Sequence, residues 1–385
     1  MKIIYCTHSL YNPGGMERVL LNKVTYLVGK LNWNITIVTT DQKKRPPFYS
    51  LPDKVRLIDL GINYSDDNCK NVFYKIAGYL RRKHKHKKAL TALLLHEQAD
   101  IVVSLYPSES SFLPTIRDGS KKVLELHFCK FFRLQYGRSG LLKYIDRYRT
   151  WQDEKIVSRF DKFVVLTNED KGYWGELSNI EVIPNAALLL GNGYTDVLSH
   201  RVIAVGRLDY QKGFDRLIQA WSIINEQAEC QNWELDIFGQ GEWRDMLQEM
   251  IDERGLHDKV VINPPTAYIG EEYTNSSILV MSSNYEGFPM VLIEAMACGV
   301  PAVCFDFKCG PKDIIQHEMN GLLVKNGDIE GLANAIMKLM NNEEYRRTLS
   351  ANARKISATY SEETVMDKWI NLFKSLIEHE ETATN

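Results

Sequence analysis

Two glutamates eight residues apart stand out in the stretch SSNYEGFPMVLIEAMACGVPAVCF of this 385-residue chain. Glu286 precedes a short predicted helix and Glu294 lies inside it, so their side chains cannot pair with each other. Carboxylates accept strong hydrogen bonds from hydroxyl groups, and this spacing lets each bind a different hydroxylated part of one ligand. The structural alternatives are a carboxylate that stabilises the helix dipole for Glu286 and a surface ion pair for Glu294.

The backbone around these carboxylates is suited to an anion. Strand SILVMSS is followed by a turn at Glu286 and Gly287, Pro289 fits the first helical position, and Gly299 ends the helix. Amides at or near the first turn lie at the positive end of the helix dipole, where negative charge is stabilised. These amides belong to Phe288, Met290 and Val291.

A second loop between a strand and a helix, VGRLDYQKGFDRLIQAW, supplies cations. Gly206 ends the predicted strand, Arg207 and Lys212 flank the turn, and Gly213 leads into the helix. A guanidinium and an ammonium beside a helix N-terminus suit a diphosphate, because they neutralise the charge that grows as a phosphate leaves. The alternative is that both cations are solvated loop charges.

The first loop of the chain contains Asn12, Pro13, Gly14 and Gly15 between strand KIIYCTH and a helix. Two glycines allow a backbone to approach an anion at a helix N-terminus, although a simple tight turn can have the same sequence. The loop is not G-x-G-x-x-G, so the dinucleotide fingerprint is missing, even though Asp41 follows the second strand where a ribose-binding acid would lie.

The elements that carry these loops alternate between short β-branched runs and helical periodicity, which predicts parallel strands joined by crossover helices. Such sheets bind ligands at the carboxyl ends of their strands, so function is expected in the loops above. Proline, asparagine and glycine residues cluster over residues 184–198, which predicts a linker between two such units. A last helix has Ser361 as its N-cap, and its apolar face comprises Val365, Trp369, Leu372, Phe373 and Leu376.

Composition excludes several classes of protein. With 47 Lys plus Arg against 49 Asp plus Glu, the net charge of −2 gives no basic excess for nucleic acid. The fractions of 44% apolar and 25% charged residues match a globular protein. The N-terminal residues do not form a secretory signal, and no run approaches the ~18 apolar residues of a membrane span. Seven scattered cysteines without C-x-x-C favour a reducing, cytoplasmic location.

The segments GGMERVL, VGRLDYQKGFD, FGQGE and YEGFPMVLIEAMACGVPAV resemble the retaining family 4 glycosyltransferases, which belong to the glycosyl transferases group 1 and have the GT-B fold. The E-G-F-x-x-x-x-x-E run is the most specific part, and the resemblance covers essentially the whole chain. It implies an α/β protein with two Rossmann-like, doubly wound domains that face a central cleft. These are an acceptor-binding domain over 1–185, a donor-binding domain over 186–360 and a C-terminal helix over 361–385 that crosses back to the first domain.

The implied activity is that of a hexosyltransferase. It would move a sugar from a nucleotide-diphosphate sugar, with UDP as the expected nucleotide, to a hydroxyl acceptor in polysaccharide, capsule, lipopolysaccharide or glycolipid biosynthesis. The resemblance implies retained configuration, no cofactor and no metal at a D-x-D motif, and no D-x-D lies near a predicted strand end. It favours a front-face reaction in which the departing phosphate accepts the proton of the acceptor hydroxyl.

The resemblance also assigns roles to residues of this chain. Arg207 and Lys212 match the donor-phosphate pair, Glu286 the sugar-binding carboxylate and Glu294 the ribose-binding carboxylate. His127 lies at the end of the predicted strand KKVLELH and matches the active-site histidine of the family. A lone histidine at a strand end is more often structural. Four glycines match loops that approach the donor, namely Gly14, Gly15, Gly239 and Gly241.

Two loops depart from the family pattern. Residues 263–266, Asn-Pro-Pro-Thr, stand where a glycine-containing turn is common, which leaves recognition of the base near Ala267 and Tyr268 open. The segment FKCGPKDII carries Cys309, Gly310 and Pro311 where many relatives have a different loop against the donor sugar. The identity of the sugar therefore stays open.

Residues 74–97 and 128–149 in the first half mix basic and aromatic side chains. Such mixtures predict docking on an anionic membrane surface, with each surface cation adding roughly 1 kcal/mol. The alternative is a solvated basic helix face together with an acceptor-binding loop. The alternating His-Lys run is not a metal site by its spacing, and no nucleic-acid-binding motif is present.

Other functions compete with transfer to an acceptor. A nucleotide-sugar epimerase of the same fold would release its product without an acceptor. A non-catalytic nucleotide-sugar-binding module is disfavoured because Glu286, Arg207 and Lys212 are all present. Asp41 is the one residue that favours a nicotinamide dehydrogenase.

Overall fold

The structure, a computed structural model, describes the chain except Pro13 and residues 68–71, 106–107, 136–139, 188–192 and 382–385. Side chains are also left undescribed at residues 67, 72, 73, 75, 76, 135, 141–143 and 379–381. The chain divides into two compact units. The first comprises Met1–Leu166, Lys171–Ile183 and Met366–Asn385, and the second comprises Thr167–Asp170 and Pro184–Val365.

The first unit is built on a parallel sheet whose described strands have the order β3-β2-β1-β4-β5-β6-β7. The central strands are buried on both faces, which is why they read as continuous apolar runs rather than alternating ones. Strand order reverses between β1 and β4, and ligands of such sheets bind beyond the carboxyl ends at this point. The strands are β1 Lys2–Thr7, β2 Asn34–Thr39, β3 Arg56–Asp59, β4 Ile101–Ser104, β5 Lys121–Glu125, β6 Lys162–Val165 and β7 Ile180–Val182.

Helices cover this sheet on both faces. One hydrophobic cluster joins Leu90 and Leu94 of α2 with Val157 of α4 and Leu124 of β5, so α2 and α4 cover the same face. The helices are α1 Gly15–Leu31, α2 Val72–Glu97, α3 Phe132–Gln135, α4 Leu141–Val157 and α5 Asn168–Trp174, with short 3₁₀ turns at Tyr64–Asp67 and Leu113–Thr115.

The second unit contains a parallel sheet with the order β10-β9-β8-β11-β12-β13 among its described strands. These are β8 Arg201–Val205, β9 Glu234–Phe238, β10 Val260–Asn263, β11 Ile278–Met281, β12 Ala302–Asp306 and β13 Gly321–Lys325. The helices are α6 Phe214–Asn225, α7 Arg244–Glu253, α8 Ile269–Thr274, α9 Met290–Ala297, α10 Pro311–Ile314, α11 Ile329–Met340, α12 Glu343–Ala353 and α13 Ile356–Thr359, with a 3₁₀ turn at Ala228–Cys230. Strand order reverses between β8 and β11, so the loops after β8 and β11 adjoin the binding edge of this unit.

The last helix, α14 (Glu362–Glu381), belongs to the first unit from Met366 onward. Ser361 caps it, since its Oγ accepts the Thr364 N–H at 3.1 Å. Its apolar face packs through Trp369, which is 2% exposed, and Phe373, whose ring centroid lies 6.2 Å from that of Trp33. This packing covers the apolar stripe that the sequence predicted for the helix.

The predicted α/β class with two parallel-sheet, Rossmann-like domains is confirmed. Every strand segment read from the sequence contains a strand, but the sequence reading missed β3 and β7. Strand β3 is an edge strand with a mixed burial pattern, and β7 is only three residues long, so neither shows a strong periodic signal. Among the described residues, no helix combines the length and hydrophobicity needed to cross a membrane.

Replacing Trp369 with alanine is expected to lower the free energy of unfolding by about 3–5 kcal/mol, because it opens a cavity under α14. Equilibrium denaturation with urea measures the change. Trp151→Ala is the matched control, since Trp151 is 47% exposed and should lose less than about 1 kcal/mol. Equal losses in the two variants would show that the last helix contributes no core packing.

Candidate functional site

Backbone segments of the second unit touch at glycines in the loops after β8 and β9. A Cβ added at Gly239 would lie 1.9 Å from the carbonyl oxygen of Gly206, and one added at Gly241 would lie 2.3 Å from that of Leu208. Any larger residue would force the two loops apart. The sequence resemblance assigned Gly206, Gly239 and Gly241 to donor binding, and the structure shows that they also fix the loop that carries the cations.

An ion pair between Lys212 and Glu286 joins the loops after β8 and β11. The lysine stem lies across Gly206, where an added Cβ would be 2.8 Å from the lysine Cε. The ammonium is 2.6 Å from Glu286 Oε1, and the two side chains are 14% and 7% exposed. Ser283 Oγ donates to the same oxygen at 2.8 Å, and Gln211 Nε2 donates to Oε2 at 3.1 Å. Glu286 is therefore held as a carboxylate acceptor by three donors.

Gln211 extends this network to Arg207. The guanidinium of Arg207 donates to Gln211 Oε1 at 2.8 Å and lies 3.5 Å from a carboxylate oxygen of Asp209. Its side chain is 69% exposed, so it presents charge to solvent beside the buried ammonium of Lys212. The structure thus brings the predicted Arg207, Lys212 and Glu286 into one hydrogen-bonded chain.

Sequence reasoning missed two members of this chain, Gln211 and Ser283. Both are neutral and common on surfaces, so residue type alone gives no signal. Their only sequence signal is position, because each lies in a loop that also carries a charged candidate residue. Gln211 has a second role, since its carbonyl oxygen accepts the Asn284 N–H at 2.7 Å and so ties the two loops together through the backbone.

The start of α9 is fixed from two sides. Pro289 is the N-cap of this helix and not its first residue, which corrects the sequence expectation by one position. Gly310, with φ of +127°, packs so closely that an added Cβ would be 2.4 Å from Pro289 Cδ. Phe288 is buried, with its ring 5.9 Å from that of Tyr360. The divergent segment FKCGPKDII therefore contacts the N-terminus of α9.

The other candidates of this unit lie around the same helix or beyond β10. Gly287, Met290 and Val291 are half-buried at the start of α9, and Glu294 in its second turn is 8% exposed. Tyr268 lies at the N-cap of α8, with its N–H donated to Thr266 Oγ1 at 3.1 Å and its side chain largely exposed. The ring of Tyr268 is therefore accessible to a planar ligand, in keeping with the expectation for the base loop.

In the first unit, the glycine loop is covered by a carboxylate. Gly14 is the N-cap of α1, and a Cβ added there would lie 2.0 Å from Glu17 Oε2, whereas Gly15 has open space around it. Burial raises the pKa of Glu17, and the positive charges of His127 and His8 offset part of that rise. The helix N-terminus that the sequence offered to an anion is thus occupied by the side chain of Glu17.

His127 forms part of a buried charge network of the same unit. Its Nε2 lies 3.2 Å from Glu125 Oε1, and the ammonium of Lys23 lies 2.5 Å from that oxygen. Burial alone would raise the pKa of Glu125, but Lys23 and His127 together hold it at about 2. Glu125 is therefore ionised, although only 1% of its side chain is exposed. Sequence reasoning singled out His127 but neither of these partners.

Asp41 does not resemble a ribose-binding acid in its surroundings. It is fully buried, its Oδ1 accepts the N–H and the hydroxyl of Ser65 at 3.1 Å each, and its Oδ2 lies 3.5 Å from His8 Nδ1. A cofactor hydroxyl would have to displace these internal contacts. The observation removes the support for a dehydrogenase.

Gly239→Ala is expected to cost about 1–3 kcal/mol of unfolding free energy, because the added methyl group overlaps the Gly206 carbonyl and must push the two loops apart. Gly29→Ala is the control, since Gly29 lies in α1 with nothing within 4 Å of an added Cβ. That change should stabilise the helix by about 0.5–1 kcal/mol. Thermal unfolding distinguishes the two, and an unchanged melting temperature for Gly239→Ala would contradict the close approach.

Comparison with known proteins places this arrangement in a family. The family described as glycosyl transferases group 1 matches residues 199–356, which include both loops of the ion pair. The chain is 33% identical to the lipopolysaccharide 1,6-galactosyltransferase of Escherichia coli over 89% of this chain and 90% of that protein. It is 27% identical to an uncharacterized glycosyltransferase of Haemophilus influenzae, over 96% and 98% of the two chains.

A solved structure shares the fold. HepE of Anabaena, determined in complex with UDP and glucose, superposes with a TM-score of 0.73 over 97% of this chain and 100% of its own, at 17% identity. Its two-domain architecture is that of the GT-B glycosyltransferases. Together with the similarity to the Escherichia coli enzyme over nearly its full length, these matches show that the chain belongs to the glycosyl transferases group 1 family and is a glycosyltransferase of the GT-B fold.

Proposed function

We propose that this protein is a retaining hexosyltransferase that moves a sugar from a UDP-sugar to a hydroxyl of a saccharide acceptor in polysaccharide, lipopolysaccharide or glycolipid biosynthesis. The observation that carries the proposal is the buried Lys212–Glu286 pair with Arg207 attached through Gln211. It combines fixed positive charge with a fixed carboxylate beside the N-terminus of α9. A nucleotide-diphosphate sugar needs both, since its diphosphate is anionic and its sugar carries hydroxyl donors.

The cations act on the leaving group. As the bond between the sugar and the diphosphate breaks, negative charge grows on the β-phosphate oxygen. The ammonium of Lys212 is held in place by Glu286 and by the Gly206 backbone beneath it, so little reorganisation is needed when that charge develops. Arg207 and the amide of Val291 add to the same field. The N–H of Met290 is used within the turn, since it donates to the Phe288 carbonyl at 2.9 Å.

The two carboxylates bind different hydroxyl groups. Glu286 lies beside the cations, so we assign it to the sugar ring. Glu294 lies eight residues further along the chain, in the second turn of α9, and we assign it to the ribose. Ser283 and Gln211 also donate to Glu286, so its orientation does not depend on Lys212 alone. The ammonium of Lys212 has three N–H donors and can contact a phosphate without leaving Glu286. Tyr268, exposed at the N-cap of α8, is assigned to the base.

Retention follows if acceptor and leaving group occupy the same face of the sugar. In that route the departing phosphate takes the proton of the acceptor hydroxyl while the new glycosidic bond forms. The protein then has to stabilise the diphosphate electrostatically and needs no nucleophile of its own. We assign that stabilisation to side chains and helix amides, with no metal and no cofactor.

The choice of UDP and of a saccharide acceptor rests on similarity. HepE was determined with UDP and glucose, and the relative in Escherichia coli is named a lipopolysaccharide 1,6-galactosyltransferase. A panel of nucleotide sugars scored by thermal unfolding identifies the donor, because a ligand at about 100 times its Kd adds ~2.7 kcal/mol of stability. No stabilisation by any nucleotide sugar would refute the proposal.

Lys212→Met is expected to lower kcat about 100-fold, because the ammonium that stabilises the leaving diphosphate is lost. Stability should fall, since the Glu286 carboxylate is left buried without its cation. Ser283 and Gln211 still donate to it, so the variant is expected to fold, and circular dichroism at the assay temperature checks this. Release of UDP with the donor found above measures the rate. Lys259→Met is the control, because Lys259 precedes β10 at the opposite end of the strands and should leave kcat unchanged. Near-native turnover of Lys212→Met would rule out the phosphate assignment.

An epimerase reaction is the remaining alternative for this site. It would convert the nucleotide sugar into its epimer and release that product without an acceptor. Product analysis separates the two, since a transferase yields UDP and glycosylated acceptor in equal amounts. A non-catalytic binding module would bind the nucleotide sugar and yield neither product.

We further propose that the enzyme works peripherally on the cytoplasmic face of a membrane, where a lipid-linked saccharide is presented. Helix α4 carries Tyr144, Tyr148 and Trp151 at intervals of four and three residues, with exposures of 67%, 57% and 47%. Aromatic rings of this kind favour the membrane interface. This aromatic stripe of α4 is flanked by the exposed cations Arg147 and Arg149.

Charge on α4 is one-sided. Asp146 and Asp153 are buried, and Glu154, whose side chain is 44% exposed, is paired with Lys130. The other exposed charges among the described side chains of the helix are the cations Arg147, Arg149 and Lys155. Helix α2 has no acidic residue before Glu97 and carries exposed basic residues in its middle turns. Both helices cover the same face of the sheet, and their N-terminal halves lie toward the carboxyl ends of the strands. The exposed cations of α2 include Arg81, Lys85, Lys87 and Lys88.

Several residues of the basic segments do not belong to this surface. Lys130 lies 2.8 Å from Glu154 and donates to the carbonyl of Tyr173 at 2.6 Å, and Arg133 pairs with Asp153. These cations are paired inside the unit, so we leave them out of the proposed docking surface. Tyr136 and Arg138, and the side chain of Lys143, lie outside the described residues.

Liposome sedimentation tests the docking. Binding is expected to vesicles with phosphatidylglycerol and not to pure phosphatidylcholine, and Arg147→Glu with Arg149→Glu should weaken it at least ~10-fold. Tyr148→Ser with Trp151→Ser should also weaken it, while Phe48→Ser, which changes an aromatic residue that is 57% exposed elsewhere in the unit, should not. Equal binding to both vesicle types would contradict docking by attraction to anionic lipid.

A further inference from the structure

A buried charge network of the first unit lies next to His127. Lys23 and Glu125 are 4% and 1% exposed, and their charged atoms are 2.5 Å apart. Burying a lone carboxylate or ammonium is costly, whereas a tight pair offsets most of that cost. Among the described residues, the other polar partner of Glu125 Oε1 is the imidazole of His127, at 3.2 Å, so the pair fixes the oxygen that this ring faces.

The network is anchored on three elements. Glu125 is the last residue of β5, and Lys23 lies on the buried face of α1. Trp369 of α14 covers the ammonium, with the lysine Nζ 3.6 Å from a ring centroid. This cation–π contact supplies the side of the ammonium that Glu125 does not reach. The position of Oε1 is therefore set by a strand, a helix and the returning C-terminal helix.

The charge state of Glu125 decides the proton on His127. A carboxylate can only accept hydrogen bonds, so the imidazole nitrogen that faces it must carry hydrogen. That nitrogen is Nε2. The neutral ring then has its lone pair on Nδ1, which has no partner among the described residues. Glu17, whose carboxylate interacts electrostatically with His127, is the other acidic group near the ring.

We propose that Glu125, held by Lys23, is a positioning residue that fixes His127 in the tautomer with hydrogen on Nε2 and offers Nδ1 to a substrate hydroxyl. The inference rests on the proposed function for the meaning of that hydroxyl. The geometry itself involves only the first unit. Lys23 and Trp369 act through Glu125 and do not touch the substrate.

Two double variants separate positioning from packing. Lys23→Met with Glu125→Gln and Lys23→Met with Glu125→Leu both remove the buried ion pair and keep similar volumes. They differ in one respect, because glutamine still offers His127 a carbonyl acceptor and leucine offers none. A residue with a structural role alone would make the two variants alike.

The direct readout is the tautomer of His127. We would record ¹⁵N spectra of histidine-labelled protein at pH about 8.5, where imidazole is neutral, and assign the signals with His127→Asn. The wild type and the glutamine variant should show hydrogen on Nε2, and the leucine variant should show a mixture with hydrogen on Nδ1. Hydrogen on Nδ1 in the wild type, or equal populations in both variants, would overturn the inference even if a variant folds poorly.

The kinetic readout links the tautomer to transfer. The kcat of the leucine variant is expected to be at least 10-fold below that of the glutamine variant. The Kd for UDP should be the same in both, because the two variants do not differ in the side chains assigned to the phosphates, the ribose and the base. Equal kcat values would also overturn the inference. A wild type that transfers no sugar from any donor would instead refute the proposed function, and the spectra would still decide the role of Glu125.

Discussion

The candidate site of the second unit depends on one ion pair, in which the ammonium of Lys212 and the carboxylate of Glu286 are 2.6 Å apart and largely buried. Each charge would be costly to bury alone, so each holds the other in place. The pair also joins two loops that are distant in sequence, because one partner follows β8 and the other follows β11. Where these loops meet, the ammonium of Lys212 and the carboxylate of Glu286 come together just before the N-terminus of α9.

The backbone makes this meeting possible. Gly206 has no side chain, so the stem of Lys212 can lie across it, and the missing Cβ of Gly239 lets a neighbouring loop lie against the Gly206 carbonyl. Gly213, with φ of +61°, approaches the carbonyl of Ser282 in the same way, since an added Cβ would be 2.5 Å from it. These positions require glycine for packing reasons, so they shape the site through the backbone.

The first unit shows a second use of buried charge. Lys23 and Glu125 are 4% and 1% exposed, and the C-terminal helix returns to cover the ammonium with Trp369. The helix therefore completes the core beneath His127 as well as covering an apolar surface. Each unit thus supports its candidate polar residues at the carboxyl edge of its sheet with a buried ion pair.

The sequence predicted the fold class well because strands buried on both faces leave long β-branched runs, such as VIAV in β8 and ILVM in β11. Short or edge strands leave no such run, which is why β3 and β7 were missed. Charged site residues such as Arg207, Lys212 and Glu286 could be predicted because their residue types are informative.

Neutral or buried partners could not be predicted in the same way. Gln211 and Ser283 are ordinary surface residue types, and their contacts depend on how two loops meet. Lys23 lies in the middle of an amphipathic helix, 102 residues from Glu125. The periodicity of that helix gives no reason to expect a buried ammonium, so only the fold shows the pair.

The central claim is that Lys212 binds the diphosphate of the donor while Glu286 stays fixed behind it. A crystal structure of the complex with UDP tests this most directly. We expect an oxygen of the β-phosphate about 3 Å from Lys212 Nζ, with Arg207 and the N-terminus of α9 beside it. A diphosphate bound elsewhere, with Lys212 in contact with Glu286 alone, would contradict the account.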